Sequence, residues 1–464
     1  MTVINAGARL DRLPIASFHY RVLGLIAAGM FLDGFDIYLQ GSVLATLVAE
    51  KWSTPALNAN FISATFAGMV LGAWFAGVLG DRFGRRYSYQ VNLLVFGLAS
   101  LAGAAAPTMT WLIVARFVMG LGLGAEIVVG YVALSEFVPP QSRGRWGTAL
   151  AVVTNSALFV SALVSLVVIP KWGWRWMFVI VGVGAMIVWY LRKSMPESPR
   201  WLEAKGRTEE AERVLAGIEQ DVARGRTLPP VAPAPVPLLQ RPSLSTLFSK
   251  GLILRTLTGS MLLIALNTAI YGFITFLPTF MVKQGMNIVT SLNYTTLMSL
   301  GGPVGALTGM WLGDRVGRKP CIIAGAILAI LFGALYPTVS DPTLLTLVGF
   351  LLVTSIYVLV AIAWGLYIPE LFPTELRMRG AGFCNTAGRM MTIVTPQLMV
   401  PLFVAFGIGG VIGIVALLLA VQGVLVACFG IETKARSLEA LVPTMIQGTV
   451  GAAKASARPA REAM

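Results

Sequence analysis

Twelve long apolar stretches divide this chain, near 22-48, 57-80, 88-106, 110-135, 145-169, 174-192, 254-281, 290-312, 320-338, 343-368, 379-405 and 408-430. About 20 apolar residues carry a helix across the hydrocarbon of a bilayer. Inside that hydrocarbon only helices and closed barrels satisfy every backbone polar group. The expectation is an all-α membrane protein with twelve transmembrane helices. Composition agrees, since 56% of the 464 residues are hydrophobic and only 12% are Asp, Glu, Lys or Arg. That is about half the charged share of a soluble domain, too little to coat a water-facing surface. An ordinary soluble enzyme and a disordered chain are excluded, and three cysteines exclude a disulfide scaffold. The first stretch is too long for a cleavable signal and carries two aspartates.

A net charge of +14 raises the question of nucleic acid, and the placement of the basic residues answers it. With the N-terminus inside, 29 of the 35 Lys and Arg fall in cytoplasmic segments. Lys51, Lys171, Arg175 and Lys283 fall on the other side, and Arg116 and Arg389 lie within spans. This bias is the positive-inside rule, which puts both termini in the cytoplasm. The basic balance concerns the lipid bilayer and orientation, and no nucleic-acid partner is expected. The single histidine, His19, precedes the first stretch, and Cys321, Cys384 and Cys428 sit in apolar runs. No metal, cofactor or nucleophile–base pair is expected, and hence no enzyme.

The chain also repeats itself. Gly80-Asp81-Arg82-Phe83-Gly84-Arg85-Arg86 returns 233 residues later as Gly313-Asp314-Arg315-Val316-Gly317-Arg318-Lys319. Glu136-x-x-Pro139-x-x-x-Arg143 returns 234 residues later as Glu370-x-x-Pro373-x-x-x-Arg377. Two six-helix halves in parallel repeat, 1-192 and 254-430, are expected, with a substrate site near the midplane. Between them, 193-253 is a cytoplasmic loop. It is expected to hold a helix from Trp201 to Gln220 and a Pro-rich spacer over 229-237 that cannot continue it. The tail, 431-464, is expected in the cytoplasm, and its last 20 residues are polar and Ala-rich.

These paired loops resemble the most specific mark of the major facilitator superfamily, and the resemblance covers residues 15-435. It implies a transporter that works by alternating access, acts as a monomer and sits in a bacterial inner membrane. It also implies gating roles for Asp81, Arg82, Arg85, Asp314 and Arg318, with Glu136, Arg143, Glu370 and Arg377 in the second pair of motifs.

Asp33, Asp36 and Glu126, with Arg116 and Arg389, are the charges embedded in spans. Each costs about 2.5–3.5 kcal/mol at the bilayer centre on insertion scales, and such residues mark substrate or proton paths. Asp33, Asp36 and Gln40 share one stripe of the first helix. Two carboxylates one turn apart repel, so one is suited to exchange a proton. Arg116 opens the run Arg116-Phe117-Val118-Met119-Gly120-Leu121-Gly122-Leu123-Gly124, whose glycines admit a neighbouring helix. Asp33 is its expected partner, and Glu126 is a second candidate proton site.

The second half holds only Arg389 and no embedded carboxylate. Asn385, Arg389, Thr392 and Pro396 form one stripe, while Asn267 and Tyr271 face one way on the seventh helix. An arginine among amides and hydroxyls suits a carboxylate held in a bidentate fork, unless Glu126 or a carbonyl reaches it. Phe35, Tyr38, Tyr271 and Trp364 are candidates to enclose an aromatic ring.

Asp33-Gly34-Phe35-Asp36, and Gly388-Arg389 followed by Pro396, resemble signatures of the aromatic acid:proton symporters. That resemblance implies transport roles for Asp33, Asp36, Arg116 and Arg389. Pro196-Glu197-Ser198-Pro199-Arg200-Trp201-Leu202 and Pro369-Glu370-Leu371-Phe372-Pro373-Thr374 resemble sugar porters and niacin transporters instead. The leading expectation is proton-coupled symport of a small organic anion, an aromatic carboxylate. The alternatives are a sugar or polyol porter that binds through Asn155, Asn267 and Gln397, a nicotinate-type porter, or a metabolite or drug exporter.

Overall fold

A computed structural model describes residues 4–139, 142–223, 227–231, 244–372 and 376–433. Residues 232–237 of the spacer and the tail beyond 433 lie outside the described residues, as do the side chains of Asp81, Arg143, Asp314 and Arg377. After a short α1 (Ala6–Asp11), the first six stretches become α2 (Ser17–Ala49), α3 (Pro55–Phe83), α4 (Arg85–Ala104), α5 (Met109–Phe137), α6 (Arg143–Trp172) and α7 (Arg175–Leu191). The long loop carries α8 (Pro199–Ala204) and α9 (Thr208–Ala223). The single helix expected there is broken at Gly206, whose φ of 74° lies in the left-handed region.

The seventh stretch is α10 (Ile253–Thr268), a π-helical turn at Ala269–Ile274, and α11 (Leu277–Lys283). The eighth is α12 (Ile288–Ser299) with α13 (Gly301–Arg315), and the ninth is α14 (Arg318–Leu335). The tenth is α15 (Pro342–Ile362), a second π-helical turn at Ala363–Tyr367, and α16 (Ile368–Glu370). The last two stretches share α17 (Arg377–Phe429), bent at Gly407 with φ 63°. All twelve stretches are thus helical, and no strand occurs among the described residues.

Helix starts are written in the sequence. The Thr54, Thr108 and Asp341 side chains each accept from the third following backbone N–H, and Pro55 and Pro342 follow two of these caps. Those bonds satisfy amides that the first turn of a helix leaves without partners. Trp111, Trp172 and Trp176 are exposed at one set of helix ends, and Tyr20, Tyr87 and Tyr190 at the other. Aromatic belts of this kind mark the two bilayer interfaces. Gly120 of α5 meets Gly68 of α3 so closely that a Cβ on Gly120 would stand 3.0 Å from the Gly68 Cα.

The chain forms two compact units, Met1–Pro237 with Tyr271–Pro303 and Thr392–Val411, and Leu238–Ile270 with Val304–Met391 and Ile412–Met464. The first unit therefore contains both α2–α7 and pieces of the later helices. Within it, Ser63 of α3 donates to the Ile393 carbonyl of α17 at 2.6 Å, and Thr296 of α12 donates to the Ala162 carbonyl of α6 at 3.2 Å. The Tyr271 and Phe66 rings stand 4.5 Å apart, and a Cβ on Gly41 would lie 2.8 Å from the Thr275 carbonyl oxygen.

The first unit also ties α1 onto the loop helices. Glu203 accepts from the backbone of Asn5 and Ala6, and Arg9 forks onto Glu212 and Glu219. Arg12 adds a 2.7 Å bond to Glu219, and Leu10 packs with Leu215, Ile218 and Val222. Burial pushes the Glu219 carboxyl up, but the hydrogen bonds from Arg9 and Arg12 outweigh it and hold the group below the ordinary value of 4.5. A depressed carboxyl contributes stability above its unfolded pKa and loses it as pH falls through the folded one. Glu219→Gln is therefore expected to raise hydrogen exchange over residues 5–12 several-fold at neutral pH. Wild type should approach the variant only below about pH 4.

Candidate functional site

Arg116 and Asp36 are both fully buried, and Arg116 Nη1 donates to Asp36 Oδ2 at 2.6 Å. Nε of the same guanidinium donates to Thr65 Oγ1 at 3.2 Å, and its Cζ lies 4.8 Å from the Phe61 ring centroid. The expected partner was Asp33, and the structure corrects this to the carboxylate one turn further along α2. Both aspartates are buried. Which of the two meets Arg116 depends on how α2 and α5 cross, and the stripe alone does not contain that angle. Gln40, one turn beyond Asp36, is fully buried, and neither of its amide atoms has a hydrogen-bond partner among the described residues.

Glu126 is 1% exposed and meets a residue the sequence reading had counted as cytoplasmic. Arg192, at the end of α7, places Nη1 2.5 Å from Glu126 Oε1. Its Nε donates to the Leu25 carbonyl at 2.9 Å and its Nη2 to the Ile26 carbonyl at 3.1 Å. The long aliphatic stem lets an arginine at the edge of a stretch reach inward as readily as outward. A buried carboxylate with no assigned partner was the available signal for this pair.

In the second unit Asn385 Oδ1 accepts from Trp364 Nε1 at 2.9 Å, with Arg389 half-buried one turn further along α17. Asn267 is buried against Gly388, and its amide donates back to the Leu263 carbonyl at 2.7 Å. In the first unit the Asn155 amide is likewise turned back, to the Ala151 carbonyl, while Tyr38 is half-buried and Phe35 is buried. Gln397, expected at the substrate in the sugar-porter reading, is exposed and donates to Asn60 and Ser63, which joins α17 to α3. Among the described residues no group of three His, Cys, Asp or Glu is placed to hold a metal.

The repeated loops are built alike. Arg85 donates to the Gly80 carbonyl at 2.8 Å and to Glu136 at 3.2 Å, and Arg318 donates to the Gly313 carbonyl at 3.0 Å and to Glu370 at 3.0 and 3.1 Å. Glu197 accepts from the backbone N–H of Arg85 and Arg86, and Glu432 from those of Arg318 and Lys319. Each carboxylate caps the first turn of a helix, α4 or α14, where free amides and the helix dipole favour an anion. Gly84 and Gly317 have φ of 104° and 118°, which turns those amides toward the glutamates. Glu432 was absent from the expectation, although Glu197 shifted by the repeat offset lands beside it. Arg82 is exposed and lies over Phe83.

A model of the major facilitator superfamily matches residues 26–396. The inner membrane metabolite transport protein YdjE of Escherichia coli K12 is 37% identical over 440 residues, covering 93% of this chain and 97% of the relative. The niacin transporter NiaP of Acinetobacter baylyi is 34% identical over 438 residues, covering 94% and 99%. The crystal structure of a D-xylose-proton symporter matches with a TM-score of 0.71 at 17% identity, over 91% of this chain and 100% of that one, which is a likeness of fold.

Removing one member of a buried ion pair strands the other. Asp36→Asn is expected to destabilise the purified protein by about 3 kcal/mol, the scale for an uncompensated buried charge. Asp33→Asn should destabilise it less, because Arg116 keeps Asp36. Thermal unfolding of the two variants in one detergent compares them directly.

Proposed function

The chain belongs to the major facilitator superfamily, as a multi-pass membrane protein and secondary transporter of small metabolites, and we propose that it moves a small organic anion together with protons. The aromatic carboxylates are the class we favour. The observation that carries the coupling is the fully buried Asp36–Arg116 pair. A proton arriving on Asp36 neutralises its charge and leaves Arg116 held by Thr65 and the Phe61 ring. Its departure restores the pair. Asp33, on the same stripe, is the second carboxyl of this proton site.

Arg389 is the anchor for the substrate carboxylate, with Asn385 oriented beside it by Trp364. We assign Asn267 of the same unit to the substrate as well, and Tyr38, Gln40 and Tyr271 to substrate contacts made by the first unit. A planar guanidinium fork matches a carboxylate in both geometry and charge. The niacin-transporter relative supports this class, because niacin is itself an aromatic carboxylate. The halves 1-192 and 254-430 are the moving bodies, and both termini lie in the cytoplasm. Arg85 with Glu136 and Arg318 with Glu370 fasten the inner gate, alongside Asp81, Arg82, Arg143, Asp314 and Arg377.

A sugar or polyol is the second reading, favoured by the open amide of Gln40, which suits a hydroxyl group. The two readings separate on Arg389, since an uncharged cargo has no need of it. In proteoliposomes with an inward proton gradient, labelled nicotinate or 4-hydroxybenzoate is expected to accumulate. Arg389→Gln should cut that uptake about tenfold or more. Accumulation of xylose in place of either acid, unchanged in Arg389→Gln, sinks the carboxylate assignment.

A further inference from the structure

The transport cycle proposed above makes no use of Glu126 and Arg192, yet Arg192 joins the end of α7 to three other helices. From the end of α7, Arg192 contacts the Glu126 carboxylate of α5, two carbonyls of α2 and the face of the Tyr89 ring of α4, 4.9 Å from its centroid. Gly29 of α2 makes room, since a Cβ there would stand 2.5 Å from Glu126 Oε1 and 2.8 Å from Arg192 Cζ. Five residues beyond Arg192, Glu197 caps the start of α4 at Arg85 and Arg86. Arg86 in turn donates to the Lys193 carbonyl at 2.8 Å. A small cavity, about 10 Å³, with Arg85, Arg86, Tyr89 and Arg192 among its lining residues, lies on the same route.

Glu126 is the anion opposite Arg192. Tyr89 also faces the pair, and beyond it stand Arg85 and Glu136. α2 offers Arg192 the carbonyls of Leu25 and Ile26, with Asp33 and Asp36 two turns or more further along the helix. Between Pro55 and Gly80 of α3, and between Trp146 and Pro170 of α6, there is no titratable residue. A proton on Glu126 therefore removes the countercharge of a buried guanidinium whose other contacts, the Leu25 and Ile26 carbonyls and the Tyr89 ring, are neutral. Such a cation moves toward water or another anion.

We propose that Glu126 and Arg192 form a proton-released latch, in which protonation of Glu126 frees Arg192 and loosens the end of α7 together with the Glu197 cap on α4. Arg192 is then a positioning residue that links a carboxyl buried in the first half to the cytoplasmic loop. The latch rests on the reading of this protein as proton-coupled, and it is independent of which anion is carried.

Hydrogen exchange of the full chain in lipid nanodiscs, without substrate, tests it. In wild type, amides of residues 84–88 and 192–200, corrected for intrinsic exchange, should open about tenfold more on going from pH 8 to pH 5. Glu126→Gln should show the low-pH opening at every pH, and Glu126→Asp should keep the pH step. Glu197 also titrates in this loop, its carboxyl raised by burial against the amide hydrogen bonds it accepts, so a step common to all variants belongs to Glu197. Should Glu126→Gln fail to fold, Glu126→Gln with Arg192→Gln leaves no stranded charge and is expected to give the same pH-independent opening. Wild-type protection with an intact pH step in the neutralised variant overturns the latch. Failure of nicotinate or 4-hydroxybenzoate uptake, in contrast, overturns the substrate reading and leaves the exchange result standing.

Discussion

A guanidinium in hydrocarbon has to bring its own solvent, and the first six helices are arranged to supply it twice. Arg116 is met by a carboxylate, a hydroxyl and an aromatic face, contributed by α2 and α3. Arg192 is met by a carboxylate, two carbonyls and an aromatic face, contributed by α5, α2 and α4. Neither set exists until several helices have packed, so the charges specify which helices must meet and at what height. The glycines follow from the same demand. Gly29 is the space that Arg192 and Glu126 occupy, and Gly68 and Gly120 let α3 approach α5. Buried ion pairs add little net stability over apolar packing, but breaking one is strongly destabilising. A pair whose charge can be switched by a proton therefore has a large effect on the conformation around it.

The cytoplasmic ends solve a related problem with different atoms. A helix that begins at the bilayer surface has amides with no partner inside the helix. α4 and α14 do not use a local Ser, Thr or Asp for those amides, as α3, α5 and α15 do. They borrow Glu197 and Glu432, from more than a hundred residues further along the chain. The cap then depends on where another segment lies, and a displacement of that segment uncovers the helix start. A local cap holds under any rearrangement, whereas a borrowed one reports it. The glycines with positive φ at 84 and 317 belong to this device, because they aim the amides outward at the glutamate.

Much of this was legible in the sequence, and the misses have a common cause. Apolar length carries across every span, and the repeat offset matched Arg85 with Arg318 and Glu136 with Glu370 as equivalent positions, without showing that each arginine meets its glutamate. The choice between Asp33 and Asp36 was not legible, because three residues on one helix face differ only in height and crossing angle. Arg192 was misread for the same reason as any long side chain at a boundary. Its Cα position is set by the chain, but its charged end can travel several ångströms toward either solvent. The π-helical turns at Ala269–Ile274 and Ala363–Tyr367 insert one residue into a run that is apolar on all sides, so no periodicity records the shift. Gln397 stands out because it is polar in an apolar stretch. A polar side chain there serves helix contact equally well, and Asn60 and Ser63 use it so.

The two halves descend from one pattern but divide the chemistry unequally, and the division has a physical logic. Embedded carboxylates occur in the first half alone, and Asp36 and Glu126 each sit beside an arginine, which suits that half to the proposed proton site. The second half carries a single embedded arginine and amides, a set with net positive charge that gains by receiving an anion. If both functions shared one half, the carboxylates would compete with an anionic cargo for the same guanidinium, and proton and substrate would displace each other. Separating them lets each site change charge without occupying the other. In the proposed cycle their influence on one another passes through helix position, which is the condition under which a proton gradient drives the movement of a substrate instead of merely opposing its binding.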